Sequence, residues 1–394
     1  MEDLHAQKNI EALRSGIPPD GVVKQFTVGR KSEIDQLHHQ LEDPQHRTLL
    51  IQSDYGTGKT HLLRYIREIA LDAGYIVSLI TLDAKSGIAF NKLDQVLGEI
   101  NRCLKLPSQQ GQRGVRFLFD EARKKYNFSS EEHDNFWSKV SNQHKWDYDH
   151  STQLKSPAMY VALRAWFFGD TRTKDVIEDW LFQPANYKSQ KNRLYNLGIG
   201  QMRSHFRDPR SERQVTSSGA FDLFNKGDYQ RSWDALSDLN TLAQASGFRG
   251  VILLIDEFED VISNITRKSD QHDAFWHLFE FFSGTKFTGL SFFAVTPDFV
   301  QKCKSLLIQQ NVFDFDYSQF DQLPTFRLSS LYEDDLYRLS AIILQHHEIA
   351  YNWKCDHAQY QKIIDNIIQK NNRHDKVRLT IRDLIKHLDQ ALDE

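Results

Sequence analysis

Apolar residues recur along the chain in two alternating patterns: short uninterrupted runs, and stripes spaced three and four residues apart. An uninterrupted run of four to eight residues marks a buried strand, whereas the three-four spacing marks one face of a helix. Runs fall at 48–52 ("TLLIQ"), 75–82 ("YIVSLITL"), 251–255 ("VILLI") and 289–296 ("GLSFFAVT"), with a shorter one near 324–331 ("PTFRLSSL"). Between them lie helical stripes: Ile34, Leu37 and Leu41, ended by Pro44; Leu62, Leu63, Ile66 and Ile69, closed by Gly74; and Phe90, Leu93, Val96, Leu97 and Ile100. A first helix carrying Ile10 and Leu13 stops near Ser15, before Gly16 and Pro18-Pro19. Beyond residue 331 the stripes are all helical, over 332–347, 357–370 and 379–391.

Strand, loop, helix, strand, helix is the α/β alternation of a parallel sheet. That rhythm fills 46–106 and returns over 231–330. Residues 107–230 break it with helical pieces such as "PAMYVALRAWFFG" and no strand pattern, and read as an insertion. The expected organisation is a helical segment at 1–45, an α/β core at 46–106 and 231–330, the insertion at 107–230, and a small helical domain at 331–394.

Two stretches carry chemistry. After the first run comes Ser53-Asp54-Tyr55-Gly56-Thr57-Gly58-Lys59-Thr60-His61, where a glycine-spaced loop opens a helix. Successive backbone N–H groups and the helix dipole converge there on an anion, and glycines let the backbone approach it. In the pattern G-x-x-x-x-G-K-[ST], the lysine, here Lys59, reaches the β- and γ-phosphates and the hydroxyl, here Thr60, holds Mg²⁺. Ser53 stands where that pattern has glycine. The second stretch is "VILLIDEFED", which sets Asp256 and Glu257 at the tip of a buried strand, the edge that carries ligands in parallel sheets. Asp256 suits the Mg²⁺ shell. Glu257 suits polarising a water against the γ-phosphate, so the pair favours hydrolysis over transfer. The two stretches stand nearly two hundred positions apart, and the insertion accounts for the excess over a minimal P-loop NTPase core.

Composition narrows the class. With 40% hydrophobic and 26% charged residues among 394, the chain is ordinary globular material. A formal net charge of −4 excludes a global basic field, so any contact with DNA has to come from a local patch. Cys103, Cys303 and Cys355 have no metal or disulfide spacing, the first residues are a charged amphipathic helix rather than a leader, and no apolar run reaches a membrane span. A cytoplasmic location is expected.

Together these features resemble an AAA+ ATPase of the helicase-loader and origin-recognition type. "FTVGRKSEIDQL" resembles the nucleotide-base motif of that clade, which would put Val28, Gly29 and Arg30 near adenine. By the same likeness Thr296 is the polar γ-phosphate sensor, the last three helices are a lid, and Arg382 is the lid arginine, with Arg378 as a competitor. More narrowly, "IEALRSGIPP", "DYGTGKTHLLRYIREIAL", "LRAWFFGD" and "GFRGVILLIDEFEDV" resemble the BREX ATP-binding family, the BrxC/BrxD-type proteins of bacterial phage-defence loci. That resemblance implies ATP and Mg²⁺ as cofactors and a helicase or methylation partner beside the protein in defence against foreign DNA; a homo-oligomer is compatible with it.

Other features have plainer readings. Residues 187–213 carry Lys188, Lys191, Arg193, Arg203, Arg207, Arg210 and Arg213 with interleaved Tyr187, Tyr195 and Phe206. They are a solvated loop or a single-strand contact, and the solvated loop is preferred. "HDAFWHLFEFF" has the spacing of core packing, and the sixteen histidines show no metal spacing. Arg267 is one of many arginines that could serve as a finger toward a neighbouring subunit. No winged-helix pattern follows the last stripe, which argues against direct duplex recognition. The alternatives to an ATP-driven loader are a nucleotide-gated signalling switch and a transposition-type AAA+ regulator that coats DNA.

Overall fold

The structure is a computed structural model and describes residues 2–83, 85–107, 111–128, 154–183, 223–224, 229–259, 265, 267–309, 316–370 and 376–393. The basic segment 187–213 lies outside them. In chain order the elements are α1 (Glu2–Arg14), a 3-10 turn (Val23–Phe26), α2 (Lys31–Glu42), β1 (Thr48–Gln52), α3 (Lys59–Asp72), β2 (Ile76–Thr81), α4 (Leu93–Cys103), β3 (Leu104–Lys105) and α5 (Val115–Phe128). They continue with α6 (Pro157–Phe168), α7 (Thr171–Phe182), α8 (Gln230–Ala245), β4 (Val251–Asp256), α9 (Lys268–Ser283), β5 (Leu290–Val295) and α10 (Phe299–Gln309). The last are α11 (Ser318–Asp321), β6 (Thr325–Arg327), α12 (Glu333–Tyr351), α13 (His357–Lys370) and α14 (Lys376–Asp393).

Among the described residues, six strands make one mixed sheet in the order β3-β2-β4-β5-β1-β6. β1 runs parallel to β6 and β2 parallel to β4, as the alternation predicts, while β3 is a two-residue antiparallel edge on β2. The chain clusters into two compact units, Met1–Ile69 with Phe293–Glu394, and Ala70–Phe292.

In the first unit, Leu50 and Ile51 of β1 are wholly buried and register with Thr325 and Phe326 of β6. The same unit holds a four-helix cluster. Ala6, Ile10 and Leu13 of α1 pack with Leu336, Leu339 and Ile343 of α12, Ile364 and Ile367 of α13, and Leu384, Ile385 and Leu388 of α14. Thus α1 buries its stripe against helices more than three hundred positions downstream. Arg14 adds an ion pair to Asp389 at 2.8 Å.

In the second unit, β2 and β4 pair from Ile76↔Val251 to Thr81↔Asp256, and every residue of β4 is buried. Burial on both faces is why this strand reads as an apolar run rather than an alternation. Phe90, Trp233, Phe281 and His277 form an aromatic cluster beside it. Ala274, Phe275, Leu278 and Phe281 are buried, as the spacing of "HDAFWHLFEFF" predicts, whereas Trp276 is 43% exposed. The segment leading into α6 is fastened to α8: the buried carboxylate of Asp238 accepts from the backbone N–H groups of Lys155 and Ser156, each at 2.8 Å. All three cysteines are free, and no described helix is long and apolar enough to cross a membrane.

Candidate nucleotide site

The loop at 53–60 joins β1 to α3, a 14-residue helix whose N-terminus is the positive end of its dipole. Gly56 (φ 76°) and Gly58 (φ 103°) lie in the left-handed region, where a side chain would be strained. Ser53 does not, so serine in place of the usual glycine carries no backbone penalty. Its hydroxyl instead meets that of Thr57, which also hydrogen-bonds the Asp54 carbonyl at 2.7 Å, and these contacts tie the loop to itself. The Lys59 ammonium is buried and donates to the Ser53 carbonyl at 2.9 Å, with the Tyr55 ring 4.8 Å away. Tyr55 itself is 59% exposed. The loop therefore has what an oligophosphate needs: glycines that open the backbone, a helix N-terminus, and an ammonium held on the loop.

A polar strap runs along α3. Arg64 donates to the Pro18 carbonyl at 2.7 Å, Arg67 pairs with Asp20, and Glu68 accepts from the Val23 N–H at 2.9 Å. His61 Nε2 lies 2.8 Å from the Thr27 hydroxyl, and Arg30 donates to the Thr57 carbonyl at 2.7 Å. Positions 57, 61, 64 and 68 share one face of the loop and helix, so residues 18–30 are stitched to it turn by turn. Burial, then the charges of Arg30 and Arg64, lower the pKa of His61 to about 4, which keeps the imidazole neutral. Of the predicted base motif, Val28 is half-buried, Gly29 has φ 66°, and the Arg30 guanidinium is turned inward and 5% exposed.

Also in the first unit, Thr296 follows β5 and is buried, and its hydroxyl donates to Asp298 at 2.6 Å. Hydrogen bonds from Lys302 and Thr296 hold the Asp298 carboxyl below its ordinary range. Arg382, on α14, is exposed, with Asp383 3.8 Å from its Nε. Arg378 lies beside Gly16. In the second unit, Asp256 ends β4 and is buried, while Glu257 is exposed and takes φ 55°, a left-handed conformation rare outside glycine. The Glu257 N–H donates to Asp256 Oδ1 at 3.0 Å. Arg267 is exposed at the start of α9.

Asp335, which no motif marks, sits against Gly29. Its carboxylate lies where a Cβ on Gly29 would be, and it accepts the Tyr332 N–H at 3.1 Å. The signal for it is the acidic triplet Glu333-Asp334-Asp335 in the first turn of α12, a helix-start pattern with no hint of a partner at residue 29.

Residues 2–140 and 225–394 match the family described as BREX system ATP-binding protein BrxC/D. The match covers the glycine loop, the β4 tip and the last three helices, and it leaves out 141–224, where "LRAWFFGD" lies. No curated protein and no solved structure matches the chain.

Proposed function

Because the chain belongs to the family of BREX system ATP-binding proteins, we propose that it is a Mg²⁺-dependent ATPase of the AAA+ type. In this reading it serves phage defence by acting on DNA beside a helicase or another protein of the same system. The observation that carries the reading is the loop at 53–60, with left-handed glycines at 56 and 58 before a long helix and a lysine ammonium against its carbonyls. The residues assigned to ATP are 53–61, with Val28, Gly29 and Arg30 on the side of the base. Thr60 and Asp256 are assigned to Mg²⁺, since both offer the hard oxygen donors that this ion takes. When bound, Mg²⁺ neutralises charge on the phosphates. Glu257 orients and deprotonates water, Thr296 reports on the γ-phosphate, and α12 to α14 with Arg382 act as the lid.

Phosphate release from the full chain, with and without DNA, tests this. Glu257→Gln is expected to keep ATP binding and lose about two to four orders of magnitude in turnover. Lys59→Ala is expected to lose binding, and DNA to stimulate the wild type. Unchanged turnover in Glu257→Gln removes Glu257 from its role, and slow turnover indifferent to DNA favours a nucleotide-gated switch.

A further inference from the structure

The two chain segments that connect the four-helix cluster to the rest of its unit, 15–30 and 328–332, both end on Arg30. One arm of its guanidinium, Nη1, donates to the Ser329 carbonyl at 2.8 Å; the other, Nη2, donates to the Thr57 carbonyl at 2.7 Å. Glu33 stands 3.7 Å from it and hydrogen-bonds the hydroxyls of Ser329 and Ser32. A buried guanidinium stays charged, so it has to be satisfied by acceptors, and two of them are backbone carbonyls on either side of it. The 57–58 peptide is trans, so its C=O and N–H point in opposite directions. Holding the Thr57 carbonyl on Arg30 therefore directs the Gly58 N–H away from Arg30. Without that hold the peptide could turn over cheaply, because Gly58 has no side chain to resist it.

We propose that Arg30 is a positioning residue for phosphate binding: it sets the 57–58 peptide of the glycine loop and, through Ser329, makes that setting depend on the seat of the four-helix cluster. The inference rests on the reading of 53–60 as a phosphate loop. A shift of the connector at Ser329 removes one of the two acceptors of the fork, and the loop loses the orientation of one amide. Lysine is a poor substitute, because a single ammonium is not a planar fork that spans both carbonyls.

Calorimetric titration of the full chain with inorganic pyrophosphate and with ADP tests this. Pyrophosphate has no base, so contacts to adenine do not enter. Arg30→Gln is expected to weaken both ligands by about ten- to a hundredfold, the loss of one charge-assisted hydrogen bond. If Arg30→Gln does not fold, Arg30→Lys takes its place, with a loss of about tenfold and an unliganded melting temperature close to wild type. Gly29→Ala drives a methyl into Asp335 at the foot of α12 from a left-handed position beside Arg30, and it too is expected to weaken pyrophosphate. A wild type that binds neither ligand overturns the phosphate-loop reading, and this inference with it. A wild type that binds both while the Arg30 variants stay within about twofold overturns the role of Arg30 alone. Unaltered pyrophosphate affinity in Gly29→Ala overturns the link to the helices.

Discussion

Glu257 holds a left-handed backbone, φ 55°, at the tip of a buried strand. A side chain there costs about 1–2 kcal/mol, partly offset by the hydrogen bond from its N–H to Asp256. Glu257→Gly is therefore expected to raise unfolding stability by about 1 kcal/mol in urea while removing ATP turnover. Equal or lower stability would show that the position is unstrained. Residues of this kind separate what a sequence discloses from what it hides. Lys59, Thr60, Asp256 and Glu257 can be singled out as candidates because the chemistry proposed for each demands a particular side chain at a particular offset from a strand. Ser53 is misleading by the same logic: the pattern wants glycine, yet the backbone there does not need it. Arg30 is half-legible. Its place in "VGRK" is a motif, but its acceptors are the carbonyls of Thr57 and Ser329, and a carbonyl belongs to every residue alike.

Elements were legible where their burial is uniform. The runs at 48–52, 251–255 and 289–296 appear as β1, β4 and β5, and 357–370 is α13 to the residue. β3 is too short to make a pattern, and the partner of α1 could not be read because an apolar stripe shows that a face is covered, not by what. A similar hidden tie is Asp238, whose carboxylate accepts from the amides of Lys155 and Ser156 just before α6. Burial pushes this carboxyl well above its ordinary value, while the two N–H donors pull it down. Asp238→Ala leaves the buried Ser156 donor unpaired and is expected to lower stability by about 1–3 kcal/mol in urea, with the amides of 158–168 exchanging faster than in the wild type. Asp238→Asn keeps one acceptor oxygen and should recover part of the loss.

At the scale of the molecule, buried histidines set an acid limit. His61 and His277 each fall from 6.5 to about 4, chiefly by burial, so the folded chain refuses protons that the unfolded chain takes. Their contribution is full above pH 6.5 and is lost as pH falls toward 4, by about 1.4 kcal/mol per pH unit for each. The buried carboxyls of Asp94 and Asp238 shift upward and act in the opposite sense. The difference between wild type and His61→Gln in urea at pH 7 and pH 5 isolates one histidine, and the variant is expected to be the less pH-sensitive of the two. The four-helix cluster has a different consequence, in time rather than in energy. On the ribosome α1 is made more than three hundred residues before its partners α12 to α14, on the order of tens of seconds earlier. Through that interval Ala6, Ile10 and Leu13 are without the α12 to α14 side chains that bury them in the folded chain.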